Sequence, residues 1–142
     1  MAAEIRTGSI SDLPSMVDLL MQDARLRQAR DPYLWRVADD AHERIAASVS
    51  FAMTAESQPF RQQWLVAEHR GRLVGLTHTL RLPVPPIYAG KWGDPGLILP
   101  ETIVAEVAPE GTIRHLLRAA EADLRASGAS FLLASIACGD EL

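Results

Sequence analysis

The sequence predicts an α/β domain with a mixed sheet, antiparallel at first and parallel at its end. Two apolar runs, residues 64–68 and 73–80, flank a polar turn at Gly71, which is typical of an antiparallel hairpin. Further along, an apolar run, an amphipathic helix and a second apolar run are typical of a strand–helix–strand unit with parallel strands. A length of 142 residues suits one domain with its own core. We therefore expect residues 1–142 to form a single domain.

The first half of the chain predicts one strand and two helices before the hairpin. Residues 4–7 form the strand candidate, and Ser11 is a candidate N-cap for a helix with apolar residues at helical spacing. A second helix is expected to begin near Asp39 or Asp40. Its apolar face consists of Ile45, Val49, Ala52 and Met53.

The second half predicts a long loop and then the strand–helix–strand unit. Residues 81–96 contain four prolines and three glycines, which favours a surface loop with a role of its own. Residues 102–107, "TIVAEV", are a buried strand candidate, and residues 130–135, "SFLLAS", are another. The helix between them has an apolar face and ends before Gly128. That face consists of Ile113, Leu116, Leu117, Ala120 and Leu124. The predicted order is β-α-α-β-β-β-α-β.

Composition and charge exclude several classes of protein. The net charge is −4 and the arginines are scattered, so we expect neither a nucleic-acid partner nor a polybasic membrane surface. No apolar run approaches the roughly 20 residues of a membrane span. Cys138 is the only cysteine, which excludes an internal disulfide and a cysteine zinc site. No metal-ligand spacing occurs, and a reducing cytoplasm is the expected location.

Three stretches together resemble the Gcn5-related N-acetyltransferase (GNAT) family. They are "EIRTGSISDLPSMVDLL", "WLVAEHRGRLVGLTHTL" and "PEGTIRHLLRAAEADLRASGASFLLAS". The resemblance covers nearly the whole chain and implies an acetyltransferase-like fold that lacks the usual last helix and strands. The sequence stops where the family continues, so we expect a fragment, one half of a tandem-domain protein, or a last strand covered by a homodimer or partner domain.

The resemblance implies that acetyl-CoA binds where two parallel strands diverge, the segment ending at Ala108 and the one beginning at Phe131. Carried over onto this sequence, the cofactor-binding residues are Ala105, Val107, Ala108, Gly111, Thr112, Ile113, Arg114 and Ser135. The family's diphosphate loop is degenerate here, because Ala108 replaces a Gln or Arg and Glu110 adds a negative charge. Arg114 offsets part of that charge.

The candidate catalytic residue is Glu106, as a general base that takes a proton from an amine. Glu101 is a second candidate for the same role, while His78 is interpreted as a core or solvent histidine. Aromatic residues flank two loops on the family's acceptor side and either shape a pocket or hold the loops to the core. They are Tyr33, Trp35, Tyr88 and Trp92.

Two functions follow from the resemblance and stay open at this point. The first is an acetyl-CoA-dependent N-acyltransferase that acts on a small-molecule amine or a peptide. The second is a catalytically silent acetyltransferase-like domain that serves as a binding or dimerisation module. The sequence contains no feature that identifies the amine.

Overall fold

A computed structural model of the chain describes residues 1–82 and 95–135. These described residues form three α-helices and a mixed sheet of six strands. The strands are β1 (Glu4–Thr7), β2 (Arg61–His69), β3 (Arg72–Arg81), β4 (Pro95–Ile98), β5 (Ile103–Val104) and β6 (Phe131–Ala134). The helices are α1 (Leu13–Arg30), α2 (Ala41–Thr54) and α3 (Thr112–Ala126). The predicted fold class is confirmed.

The sheet changes from antiparallel to parallel along its width, as the sequence predicts. Its strand order is β1-β2-β3-β4-β6, and β5 pairs with β3 beyond the end of β4. Every pair is antiparallel except β4 and β6, which run in the same direction with Pro95 opposite Phe131 and Ile98 opposite Ala134. The parallel pair therefore lies at one side of the sheet, connected by α3.

The fourth strand differs from the prediction because it is broken into two short pieces. Residues 102–107 were expected to be one strand, but only Ile103 and Val104 are extended, and residues 106 and 107 lie in a turn. Pro100 has no N–H to donate, and the Thr102 hydroxyl donates to the Leu99 carbonyl at 2.9 Å. These two residues lie between β4 and β5 and interrupt the pairing of the fourth strand with β3.

The helices cover both faces of the sheet. On one face α1 and α2 bury a cluster that includes Met16, Leu20 and Val49 against Trp64 and Leu76 of the hairpin. On the other face, α3 presents Leu116, Ala120 and Leu124, none of which is exposed. Ile113 and Leu117 of the predicted apolar face are partly exposed instead, on the flank of the helix.

Both ends of α3 depend on glycine. Gly111 is the N-cap with φ +84°, and Gly128 follows the C-cap with φ +103°. At the C-terminal end, the N–H of Gly128 donates to Arg125 and that of Ala129 donates to Leu124, each at 3.0 Å. This pair of backbone hydrogen bonds is the Schellman motif, and it confirms the predicted role of Gly128.

The start of α1 is held by a charged network rather than by Ser11 as predicted. A 3-10 turn at Ile10–Asp12 precedes the helix, with Ser9 as its N-cap. Arg6 of β1 donates two hydrogen bonds to Asp12, at 2.7 and 2.9 Å, and the N–H of Ser9 donates to the same carboxylate at 2.8 Å. The side-chain bonds from Arg6, above all, hold the pKa of Asp12 well below its usual range.

Substituting Asp12→Asn is expected to lower the free energy of unfolding by about 1–2 kcal/mol at neutral pH, because Arg6 loses the nearer of its two carboxylate partners and keeps only Glu68, at 3.3 Å. A carboxyl group whose pKa is lowered by folding stabilises the fold at pH values above its unfolded-state pKa. That stabilisation is lost as the pH falls toward the folded-state pKa. The difference in unfolding free energy between wild type and variant should therefore narrow below about pH 4. Urea unfolding at neutral and acid pH measures it, and a gap independent of pH would contradict the ionic origin.

Candidate functional site

The described part of the parallel pair ends beside the break in the fourth strand. The N–H of Ser135 donates to the Ile98 carbonyl at 2.9 Å, one residue past the end of β6. Among the described residues, β5 pairs only with β3, through Gly75 opposite Val104 and Leu76 opposite Ile103. The predicted divergence falls beyond Ser135, outside the described residues, and β6 lies beside Pro95–Ile98 rather than beside residues 102–107.

Backbone groups of β5 point away from β3 and pair with no strand among the described residues. The N–H of Ala105 donates to Val74 at 2.7 Å, so Val104 and Gly75 form a non-hydrogen-bonded antiparallel pair. In such a pair the N–H and C=O of Val104 point away from β3. They face the side of the sheet on which β6 pairs with β4.

A cavity of about 660 Å³ lies beside the break between β4 and β5, on the face covered by α1 and α2. One wall is the segment that leaves β4, with Glu101 among its residues, and Ser135 lies at the end of β6. Trp64 and His78 of the hairpin also line the cavity. The remaining wall comes from α1, α2 and the segment between them, including Asp23, Arg27, Leu34, Trp35, Arg36, Ile45 and Ser48.

Glu101 is the acidic group of this cavity that has no partner within the described part of the chain. Asp23 is paired with Arg27 at 2.8 Å, and the Arg27 guanidinium lies 5.3 Å from the centre of the Trp35 ring. Arg36 is exposed at the rim. Burial lowers the pKa of His78 to about 4, so its imidazole is uncharged at neutral pH.

The N-terminus of α3 lies beyond β5 and offers free backbone donors. Within residues 1–82 and 95–135, the N–H groups of Ile113 and Arg114 have no hydrogen-bond acceptor. Thr112 is buried, and its N–H and hydroxyl both donate to Pro109, at 3.2 and 2.6 Å. Nothing lies within 4 Å of the position that a Cβ on Gly111 would occupy, so its glycine is required by φ and not by crowding.

The residues predicted to bind the cofactor are therefore not equivalent. The N–H of Ala105 donates to the Val74 carbonyl, and the N–H of Ala108 donates to the Ala105 carbonyl, so both already have an acceptor. Val107 is exposed in the turn, while Gly111, Ile113 and Arg114 form the open start of the helix. Ser135 lies on the other strand and faces the 660 Å³ cavity. Cofactor binding by each of these residues stays a prediction.

Glu106 and Ser135 are separated by the fold. Glu106 is exposed in the turn after β5 and lines a second cavity of about 800 Å³, between the start of α1 and the β2–β3 turn. Glu101, five residues earlier, shares the 660 Å³ cavity with Ser135 and His78. The catalytic role of Glu106 stays a prediction, and Glu101 is the glutamate that lies at the break between β4 and β5.

Other predicted residues have mixed outcomes. Trp35 lines the 660 Å³ cavity, whereas Tyr33 is almost fully exposed. Tyr88, Trp92 and Cys138 lie outside the described residues. Where the structure describes the chain, it contains no cluster of three or more metal-ligating side chains. None of the helices described is long and apolar enough to cross a membrane.

The fold is shared with solved acetyltransferase structures. The chain matches a ribosomal-protein-alanine N-acetyltransferase from Brucella melitensis biovar Abortus 2308 with a TM-score of 0.71 and 17% identity, over 99% of this chain and 85% of the other. A predicted acetyltransferase with acetyl-CoA from Clostridium acetobutylicum matches with a TM-score of 0.68 and 14% identity, over 96% and 82%.

Glucosamine-6-phosphate N-acetyltransferase from Arabidopsis thaliana has the same fold, with a TM-score of 0.61 and 14% identity over 97% of this chain and 84% of the other. No protein-family model and no curated protein matches the sequence. The architecture is therefore that of the GNAT acetyltransferases, at identities that identify the fold alone.

Proposed function

We propose that this GNAT-fold chain is an N-acyltransferase that uses acetyl-CoA as donor and a small-molecule amine or peptide as acceptor. The observation that carries the proposal is the break in the fourth strand after Ile98, beside a cavity that Glu101 and Ser135 line. A ligand pocket with a few converging polar groups at such a site is the arrangement expected of a substrate site.

The backbone at the break between β4 and β5 fits coenzyme A. The outward N–H and C=O of Val104 match the amide groups of the coenzyme's pantetheine arm, and free N–H groups at a helix N-terminus bind phosphate. Ile113 and Arg114 supply such groups, and the exposed Arg114 adds a positive charge. Acetyl-CoA, when bound, supplies a thioester carbonyl that an amine nitrogen can attack. The exposed carboxylate of Glu110 opposes binding.

Within the cavity, Glu101 is the proposed proton acceptor. An alkylamine is protonated at neutral pH and must lose a proton before or during its attack. A carboxylate without an internal partner attracts the ammonium group and accepts that proton, directly or through water. Ser135 lies on the strand opposite and is proposed to donate a hydrogen bond to the coenzyme. The acceptor amine enters between α1 and the segment that leaves β4.

Thermal unfolding with and without acetyl-CoA tests the proposal. At a hundredfold excess over its dissociation constant, a ligand of the folded state adds about 2.7 kcal/mol of stability, which raises Tm by several degrees. Acetate and free adenosine, which are fragments of acetyl-CoA, serve at the same concentration as controls for weak binding of part of the ligand. No shift at millimolar acetyl-CoA would contradict the proposal and favour a catalytically silent domain.

The variant Glu110→Gln is expected to bind acetyl-CoA about threefold more tightly, because it removes an exposed like charge near the diphosphate. Glu121→Gln is the matched control: it lies on α3, about 13 Å along the axis from the start of the helix, beyond the Debye length. Titration by calorimetry measures both. Equal affinities for the two variants would indicate that the diphosphate does not bind at the start of α3.

A further inference from the structure

A chain of side-chain hydrogen bonds connects the C-terminal end of α2 to the ring of His78. The Gln58 side-chain nitrogen lies 3.1 Å from the Ala52 carbonyl and 3.4 Å from the carbonyls of Phe51 and Ala55. Carbonyl oxygens only accept hydrogen bonds. The orientation of the Gln58 amide is therefore determined by three acceptors, and its oxygen points the other way.

The orientation of Gln58 determines that of Gln62. The two side chains are joined at 2.7 Å, and the Gln58 oxygen must be the acceptor, so the Gln62 nitrogen is the donor. The Gln62 oxygen then faces His78 Nε2 at 2.9 Å. Because an amide oxygen has no proton to give, Nε2 of His78 carries the ring proton. The three carbonyls at the C-terminal end of α2 and its C-cap thus determine the tautomer of a histidine on β3.

The ring of His78 is held in place and stays uncharged. It stacks on Trp64 with 4.0 Å between centroids and 6° between planes. Burial lowers its pKa to about 4. The charged groups that line the same cavity are Asp23, Arg27, Arg36 and Glu101. With Nε2 protonated and the ring neutral, Nδ1 has a lone pair and no proton.

Nδ1 of His78 is open to the cavity. The His78 side chain lines the 660 Å³ cavity, and no described residue donates a hydrogen bond to Nδ1. Among the side-chain atoms of the described residues, Trp64 Nε1 alone is both buried and without a partner. Nδ1 is therefore an unpartnered acceptor that solvent, or a substrate, can reach.

We propose that Nδ1 of His78 positions the acceptor amine by accepting a hydrogen bond from its N–H. This inference rests on the proposed function, since the amine is the substrate of that reaction. His78 acts as an acceptor of fixed orientation and not as the base. A ring that stays neutral far below neutral pH takes up a proton poorly, and the proton goes to Glu101. The cavity then selects acceptors that have an N–H bond.

Nitrogen NMR of the full chain tests the arrangement without requiring catalysis. Above about pH 5, the His78 ring nitrogens are expected to show the neutral form protonated at Nε2, and Gln62→Leu should release the ring into a mixture of both tautomers. n-Butylamine at high concentration should shift the Nδ1 resonance, and butyltrimethylammonium, which has no N–H, should not. A ring protonated at Nδ1, or an equal response to both compounds, including no response to either, would overturn the proposal.

Kinetics separate the two ring nitrogens. His78→Gln keeps a donor for Gln62 but removes the acceptor at Nδ1, whereas His78→Asn keeps an amide oxygen near the Nδ1 position. We expect KM for the amine to rise about tenfold in His78→Gln and less in His78→Asn, with kcat changed less than KM. His115→Gln, on α3 and on the other face of the sheet, is the control for unchanged activity.

The two failures can be distinguished. If wild type gives no thermal shift with acetyl-CoA, the proposed function fails, whatever the state of the His78 ring. If wild type binds acetyl-CoA and acetylates the amine, but His78→Gln and His78→Asn raise KM equally or not at all, the positioning role fails and the proposed function stands.

Discussion

Glu101→Gln is expected to lower kcat for amine acetylation about a hundredfold, at the lower end of what general acid–base catalysis contributes. The amide has nearly the same shape as the carboxylate but cannot accept a proton. Glu101 makes no hydrogen bond or ion pair with another described residue. The substitution should therefore leave both Tm and acetyl-CoA affinity nearly unchanged, so that the loss appears in kcat.

Glu106→Gln is the matched variant, since it makes the same chemical change five residues further along the chain. It faces the 800 Å³ cavity, so we expect its kcat to stay within about twofold of wild type, as for a surface substitution. Steady-state rates across a pH series measure both variants. A large loss in Glu106→Gln together with a normal rate in Glu101→Gln would show that the base is the residue first predicted from the sequence.

The sequence predicts the hairpin well because its signal is local. Two apolar runs flank the turn, where Arg70 and Gly71 adopt φ of +51° and +74°. Such a turn needs only its own residues and the pairing of the two strands next to it. The apolar face and C-terminal end of α3 are local in the same sense, and the helix lies where the pattern predicts it.

The fourth strand was harder to predict, because its boundaries depend on a distant partner. Pro95–Ile98 lies next to a proline- and glycine-rich segment and is extended because β3 and β6 pair with it on either side. A four-residue strand has no periodic signal strong enough to be recognised. Pro100 and Thr102 then interrupt the strand, with Glu101 between them at the edge of the cavity and Glu106 in the turn after β5.

The site could be predicted only as far as the strand ends. Ser135 was assigned to the cofactor through the family resemblance, and the structure places it beside the 660 Å³ cavity. His78 was assigned to the core or to solvent, and the structure places it between the two, half-buried at the cavity wall. Its tautomer depends on Gln58 and Gln62, from a loop and another strand. No spacing in the sequence indicates a hydrogen-bond chain that forms only when α2 packs on the sheet.

Leu124→Ala is expected to lower the free energy of unfolding by about 3 kcal/mol, within the usual range for a fully buried leucine. Leu124 packs with Leu65 and Ile98, directly beneath the parallel pair. Leu117→Ala, on the same helix but 38% exposed, should cost less than about 1 kcal/mol. Urea unfolding compares the two, and equal losses would contradict the packing described for α3.

Gly96 and Leu124 should be energetically coupled, because they determine how closely α3 approaches β4. A Cβ on Gly96 would lie 2.9 Å from Leu132 and 3.0 Å from Leu124 side-chain atoms, so Gly96→Ala alone is expected to cost about 1–3 kcal/mol. In the Leu124→Ala background one of those contacts is gone, and the same change should cost at least about 0.5 kcal/mol less. Additive losses would mean that the strand shifts to accommodate the methyl group. In that case the spacing of the parallel pair would not depend on this contact.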